Sequence, residues 1–165
     1  LKRFIEDTAA TMHPQANEKD LALTELIFLP NGNLAVRWDE SKMRQVLINL
    51  IANAIKFTPH GGSITVTCCT AEGNMVEIKV IDNGIGIEDD MKEQVFLAFE
   101  QADNSYTRIY EGVGLGLAIT RSIVSLHHGR VWIEDTAGGG TTVHMILPMD
   151  AETTKEDDNA ENLGC

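Results

Sequence analysis

Gln45-Val46-Leu47-Ile48-Asn49-Leu50-Ile51-Ala52-Asn53-Ala54-Ile55-Lys56-Phe57 is an apolar run broken at helical intervals by two amides and an ammonium. At about 100° per residue, Asn53 lies about 40° from Asn49 and Lys56 about 20° on its other side. The three therefore share one face of a helix. Leu47, Ile51 and Ala54 fall on the opposite face, suited to pack on a sheet. Asp39 stands where an N-cap is expected, and Thr58-Pro59-His60-Gly61-Gly62 ends the run near Phe57. Taken alone, the polar face is a solvated helix surface. Asn is a poor helix former, however, and two of them inside an apolar helix call for a reason. Amide oxygens at this spacing suit a hard cation such as Mg²⁺, and the ammonium suits phosphate.

Outward from this helix, strands come in pairs. Residues 21–28 and 34–38 read as strands around the turn Pro30-Asn31-Gly32-Asn33, residues 64–70 and 76–81 as a second pair, and residues 130–134 and 142–147 as a third. A helix over residues 1–18, kinked or shortened by Pro14, precedes them. A short helix is expected over residues 88–95, a polar mobile loop over 100–112, and a helix from the glycines at 112–116 to about His127. Strands in adjacent pairs with helices between favour a two-layer α+β sandwich over a doubly wound parallel sheet. One domain over 1–149 and an acidic disordered tail or linker over 150–165 account for the chain.

Across 165 residues the net charge is −12, which argues against nucleic acid or an anionic membrane as partner. Six acids and one base in 150–165 hold −5 of it. No apolar run approaches the roughly 20 residues of a membrane helix. Cys68 and Cys69 would point to opposite faces of a strand, no CxxC or Cys/His spacing occurs, and the thiols read as reduced, in a cytoplasmic setting. The missing initiator Met suggests a piece of a longer protein, which could itself be membrane-anchored.

Three further motifs carry chemistry. Asp82-Asn83-Gly84-Ile85-Gly86-Ile87 ends an apolar strand; the glycines permit close approach of a ligand, and a buried Asp could accept from an exocyclic amine, though Asp-Asn-Gly also makes a plain turn. Gly112-Val113-Gly114-Leu115-Gly116-Leu117 opens a helix whose N–H groups suit anionic oxygens, or forms a hinge; it is neither GxGxxG nor a P-loop. Gly138-Gly139-Gly140-Thr141-Thr142 could be a simple hairpin turn, and Phe96 and Phe99 simple packing.

The order and spacing of these elements over nearly all of residues 1–148 resemble the ATP-binding catalytic domain of bacterial sensor histidine kinases, in the Bergerat-fold ATPase superfamily. The resemblance rests on an N box (49–57), a first glycine box (82–86), an F box (96–99, continuing Glu100-Gln101-Ala102-Asp103), a second glycine box (112–116) and Gly140-Thr141. It implies a mixed sheet covered by helices on one face, with ATP held beneath a flexible lid. It implies that Asn53 ligates Mg²⁺ with Asn49 beside it, that Lys56 meets phosphate, and that Asp82 reads the adenine amine with help from Thr141 and water. Phe57, Ile87 and Phe99 would join the ATP site, and Gly84 and Gly86 would let the base approach. Residues 100–111 would form the lid, with Arg108 a phosphate partner and Gly112, Val113, Gly114, Leu115 and Gly116 closing over the triphosphate. Val113 departs from the usual Thr or Ser, and Ile109 from a usual basic residue.

In topoisomerase and mismatch-repair relatives a Glu four residues before the metal-binding Asn activates water; here that position is Asn49, and an amide has no useful pKa for a general base. The resemblance thus implies a kinase that needs an external nucleophile. That nucleophile would be a His on a phosphoacceptor helical domain N-terminal in the parent, because none of His13, His60, His127, His128 or His144 has the required neighbours. A response-regulator receiver domain would act downstream, the fragment would be monomeric and the parent a homodimer. A serine or threonine kinase of the same fold and a non-catalytic nucleotide-binding module are the alternatives.

Overall fold

Asp39 starts the central helix, as its place ahead of the apolar run predicts. In the computed structural model, which describes residues 1–30, 34–97 and 116–149, its Oδ1 accepts the backbone N–H of Lys42 at 3.0 Å. That satisfies one of the orphan donors of the first helical turn. The described elements, in chain order, are α1 (Lys2–Ala10), α2 (His13–Asn17), β1 (Ala22–Phe28), α3 (Glu40–Phe57), β2 (Ser63–Ala71), β3 (Met75–Asp82), α4 (Gly116–Leu126), β4 (Arg130–Asp135) and β5 (Thr141–Pro148).

The five strands form one mixed, open sheet in the order β1-β2-β3-β5-β4. β1 runs parallel to β2, with Leu23 opposite Ile64, and the other pairings are antiparallel. The parallel pair is possible because α3 lies between β1 and β2 in the chain and provides the crossover.

Side-chain alternation decides which face each strand buries. Ile64, Val66 and Cys68 of β2, Val76, Ile78 and Val80 of β3, Val143, Met145 and Leu147 of β5, and Val131 and Ile133 of β4 are buried on one face. Helix α3 packs Val46, Leu47, Leu50, Ile51 and Ala54 into the same core, as its apolar stripe requires. α1 braces α3 from outside: Arg44 Nη1 donates to Thr8 Oγ1 at 3.0 Å, and its guanidinium lies 5.3 Å from the Phe4 ring centre.

The opposite face carries a polar cluster. His144 stacks on Trp132 at 4.8 Å between centroids, with Glu77 3.0 Å from Nδ1 and Glu134 3.2 Å from Nε2. Burial would push the Glu77 carboxyl up, but hydrogen bonds and charge from His144 and Lys79 outweigh it and hold it below the usual range.

Three expectations change. Residues 34–38 are irregular, not a strand: the Arg37 N–H donates to Met149 O at 2.9 Å, the Trp38 indole N–H to Pro148 O at 2.7 Å and the Leu1 amine to Leu34 O at 2.8 Å, scattered contacts in place of a ladder. The helix expected over 88–95 is a series of turns ending in a 3-10 turn at Gln94–Phe96. The first helix is two helices, with Pro14 in the first turn of the second, where its missing N–H costs nothing. The loop at 100–112, the glycines at 112–115 and the tail 150–165 lie outside the described residues.

His127 links α4 to the start of α3. It is fully buried; Asp39 N–H donates to its Nε2 at 3.1 Å, so Nε2 must be the unprotonated nitrogen and Nδ1–H donates to Ile123 O at 2.8 Å. His127→Phe keeps a flat ring, somewhat larger, but leaves the Asp39 N–H without its partner. We expect a loss of about 1–3 kcal/mol in urea unfolding at an unchanged slope; a variant as stable as the wild type would remove His127 from the structural frame.

Candidate functional site

The alternation that buries Val76, Ile78 and Val80 continues one step further and turns Asp82 inward, under α3. Its side chain is only 6% exposed. Oδ1 accepts two backbone N–H groups, from Gly84 at 2.8 Å and from Thr141 at 3.1 Å. Burial dominates its titration and raises the carboxyl above its usual value, with the two N–H bonds opposing the shift. Both N–H groups go to one oxygen, so among the described residues Oδ2 is left for a donor from a ligand.

Two glycines make this packing possible. A Cβ on Gly84 would stand 2.6 Å from Phe57 O and 2.8 Å from Asp82 Oδ1. Gly140, at φ +106°, lies so close to the Asp82 carbonyl that any side chain there would strike it. The loop before β5 is thereby pressed onto the end of β3.

Asp82 lies in a cleft whose walls come from elements distant in sequence. Asn53, Ala54 and Phe57 come from α3, Val80 from β3, Gly86, Ile87 and Val95 from the segment after β3, Leu117 from α4, and Ile133, Thr141 and Val143 from β4 and β5. An apolar slot with one buried acceptor fits a flat heteroaromatic ring bearing an amino group. The Asp82 carboxylate would be costly there without such a donor.

The polar face of α3 runs from the slot towards α4. Asn53 lines the slot. One turn back, the Asn49 Nδ2 donates to Gly116 O at 3.4 Å, which ties the first residue of α4 to this face. Lys56 is exposed at the helix end, with Nζ 5.2 Å from the Phe57 ring centre. Among the described residues no group of three His, Cys, Asp or Glu could hold a metal alone. A hard cation would take its oxygens from the Asn amides and from a ligand.

The structure thus brings Asn53, Phe57, Asp82, Gly86, Ile87 and Thr141 into one cleft, with Gly84 beneath Asp82 and Asn49 and Gly116 at one end. Phe99, Arg108, Gly112, Val113, Gly114 and Leu115 lie outside the described residues. Phe96 is buried, with the Arg121 guanidinium 5.9 Å from its ring centre, and serves packing. Sequence reasoning missed Leu50, Val80, Val95, Leu117, Ile133 and Val143 as slot walls. Their only signal is apolarity, which a wall shares with the core beside it.

The family described as histidine kinase-, DNA gyrase B- and HSP90-like ATPases matches residues 38–151. An uncharacterized sensor-like histidine kinase of Rhizobium meliloti (strain 1021) is 42% identical over 147 residues, covering 89% of this chain and 27% of that protein. The chain spans about a quarter or less of the length of the first curated relatives it matches. Among solved structures, the nucleotide-free catalytic domain of histidine kinase ThkA superposes with a TM-score of 0.77 at 26% identity, covering 92% of this chain and 95% of that one. Full-length ShkA in complex with AMPPNP gives 0.78 at 28% identity, covering 93% and 31%. ThkA has also been solved in complex with the response regulator protein TrrA, matching at 0.72 and 26% identity over 90% of this chain and 40% of that one.

Because the Asp82 carboxyl is raised in the fold, its ionisation opposes folding above that raised value, and the penalty vanishes below the ordinary 3.8. Asp82→Asn keeps an oxygen for the Gly84 and Thr141 N–H groups and removes the charge. At neutral pH its thermal midpoint should equal or exceed the wild type's, and any gain should close as pH falls through the carboxylate range. A variant less stable at neutral pH would mean that the fold uses the charge.

Proposed function

Since the chain belongs to the histidine kinase-, DNA gyrase B- and HSP90-like ATPase family, as the ATPase domain found in two-component sensor histidine kinases, we propose that it binds Mg-ATP and donates the γ-phosphoryl to a histidine on a separate domain. The observation that carries this reading is Asp82, a buried carboxylate held by two backbone N–H groups inside an apolar slot. The adenine ring fills the slot, and its exocyclic amine donates to the Asp82 carboxylate, with Thr141 beside it.

The phosphates extend along the polar face of α3. Asn53, with Asn49 next to it, supplies amide oxygens to Mg²⁺, and Lys56 meets phosphate. When bound, the cation neutralises charge on the phosphate oxygens. Arg108 and the glycines at 112, 114 and 116 belong to the same proposed site. Catalysis is then positioning and charge neutralisation.

Asn49 decides what accepts the phosphoryl group. An amide cannot take a proton from water near neutral pH. Hydrolysis is therefore slow, and the nucleotide waits for a better nucleophile. That nucleophile is a histidine of an N-terminal phosphoacceptor helical domain in the parent homodimer, and the phosphoryl passes from it to a response-regulator receiver domain. That ThkA has been solved in complex with a response regulator protein supports a partner of that kind. Dependence on ATP puts the domain on the cytoplasmic side, where the nucleotide is.

Thermal unfolding with nucleotides tests the site. Mg-ADP at about 100 times its Kd should add roughly 2.7 kcal/mol, with GTP giving far less. Asp82→Asn should abolish the shift; full binding by this variant would overturn the adenine assignment. Asn53→Ala should weaken Mg-ATP more than metal-free ATP, and an equal loss in both would reject the metal role. Mixing the chain with the acceptor-bearing part of its parent and labelled ATP should give acid-labile phosphate on the acceptor. Acid-stable phosphate would point to a hydroxyl acceptor.

A further inference from the structure

The last carbonyls of α3 have no intrahelical partner, and each must find one elsewhere. Lys19, in the segment between α2 and β1, takes two of them and the carbonyl of the C-cap residue, Thr58. Its Nζ donates to Ile55 O at 2.7 Å, Lys56 O at 3.1 Å and Thr58 O at 2.7 Å. Phe57 O accepts the backbone N–H of Ile85 at 3.3 Å. An ammonium has three donors and no acceptor, and here all three are used. Its charge also stands at the negative end of the helix dipole.

Ile85 lies between Gly84 and Gly86, and Gly84 approaches Phe57 O too closely to carry a side chain. The end of α3 is therefore where Lys19 and the glycine loop under the nucleotide slot meet. Lys19 also holds the turn that follows: its own carbonyl accepts the N–H of Gly61 at 3.1 Å, and Gly62 O accepts that of Ala22 at 3.0 Å. Past that turn, Asn83 Oδ1 accepts the Ser63 N–H at 2.8 Å, next to Asp82.

We infer that Lys19, which is not among the residues lining the slot, is a positioning residue of the nucleotide site: by gathering three carbonyls at the end of α3 it sets Phe57 O against Gly84 and Ile85, and so sets Asp82 and Asn53 relative to each other. The inference rests on the nucleotide reading of the slot for its functional half and on backbone geometry for the other. Arg in its place would hold its charge but, with a planar fork, would not converge on the same three oxygens.

The test uses the full 165-residue chain. Lys19→Met and Lys19→Gln are compared with Lys19→Arg and with Trp38→Phe, which removes the indole bond to Pro148 O at the far end of the sheet. Two quantities are read: the Kd for Mg-ADP at a temperature where every variant is folded, and amide hydrogen exchange at Ile85. Lys19→Met should raise the Kd about tenfold, equivalent to about 1.4 kcal/mol, and speed Ile85 exchange. Lys19→Gln should follow if Lys19→Met does not fold, and Lys19→Arg should fall between. Trp38→Phe should lower the thermal midpoint and leave both quantities unchanged.

Loss of stability in the Lys19→Met and Lys19→Gln variants with unchanged Kd and unchanged Ile85 exchange would overturn the inference, as would an equal rise in Kd in Trp38→Phe. If the wild type binds no Mg-ADP, the nucleotide reading fails by itself, and Ile85 exchange still decides whether Lys19 holds the loop.

Discussion

The end of α3 is the constraint on which the rest of the site depends. Phe57 O is fixed by the Ile85 N–H and packs against a glycine with no room for a methyl group. Through that contact, the helix that carries Asn49, Asn53 and Lys56 is registered against the strand that carries Asp82. The other end of α3 is fixed by a different pair, Asp39 and a neutral His127 from α4. A helix held at both ends and buried along one stripe cannot slide by a turn. Such a slide would move Asn53 by about 5.4 Å along its axis and out of the slot.

The sequence made α3 legible from end to end, because its N-cap, its apolar stripe and its Pro-Gly stop agree with one another. The β2–β3 and β4–β5 pairs were legible for the same kind of reason: alternating residues bounded by glycine turns. What failed was whatever depended on a neighbour absent from the local pattern. Residues 34–38 alternate as well as a strand does, yet their N–H groups find Met149 and Pro148 one at a time. Residues 88–95 have helical spacing, but the chain there has to pass from Ile87 to Val95 along the slot, and Lys92 ties it to Asp135 at 2.8 Å. In the site, the polar members stood out because Asn, Asp and Gly are unusual where they occur. The apolar walls did not, since Val80 and Ile133 obey the same alternation whether they face a core or a ligand. The parallel pairing of β1 with β2, and the role of Lys19, are long-range facts with no local signature.

Among the described residues, the slot sets one buried carboxylate, Asp82, beside the amides of α3. On the proposed reading Asp82 and the slot would select a ring and the α3 amides would meet its charged tail, and the residue one turn before Asn53 is an amide, Asn49, and not an acid. His127, which contacts the start of α3, already uses both ring nitrogens and has no solvent exposure. On the proposed reading the acceptor histidine belongs to another domain, and the timing of transfer would pass to whatever brings that domain to the slot.

The two edges of the open sheet differ in character. β4 ends the sheet with Arg130, Glu134 and Asp135 along a six-residue strand. β1 ends it with Leu26 49% exposed and Phe28 66% exposed on seven residues. Among the described residues no strand lies outside β1, and edge backbone beside exposed apolar side chains is a template for strand addition by another copy. The net charge of −12 works against that meeting, because two such chains repel before their edges touch. Salt screens exposed charges more than about 8 Å apart at physiological ionic strength, so added salt removes the barrier that keeps two β1 edges from meeting.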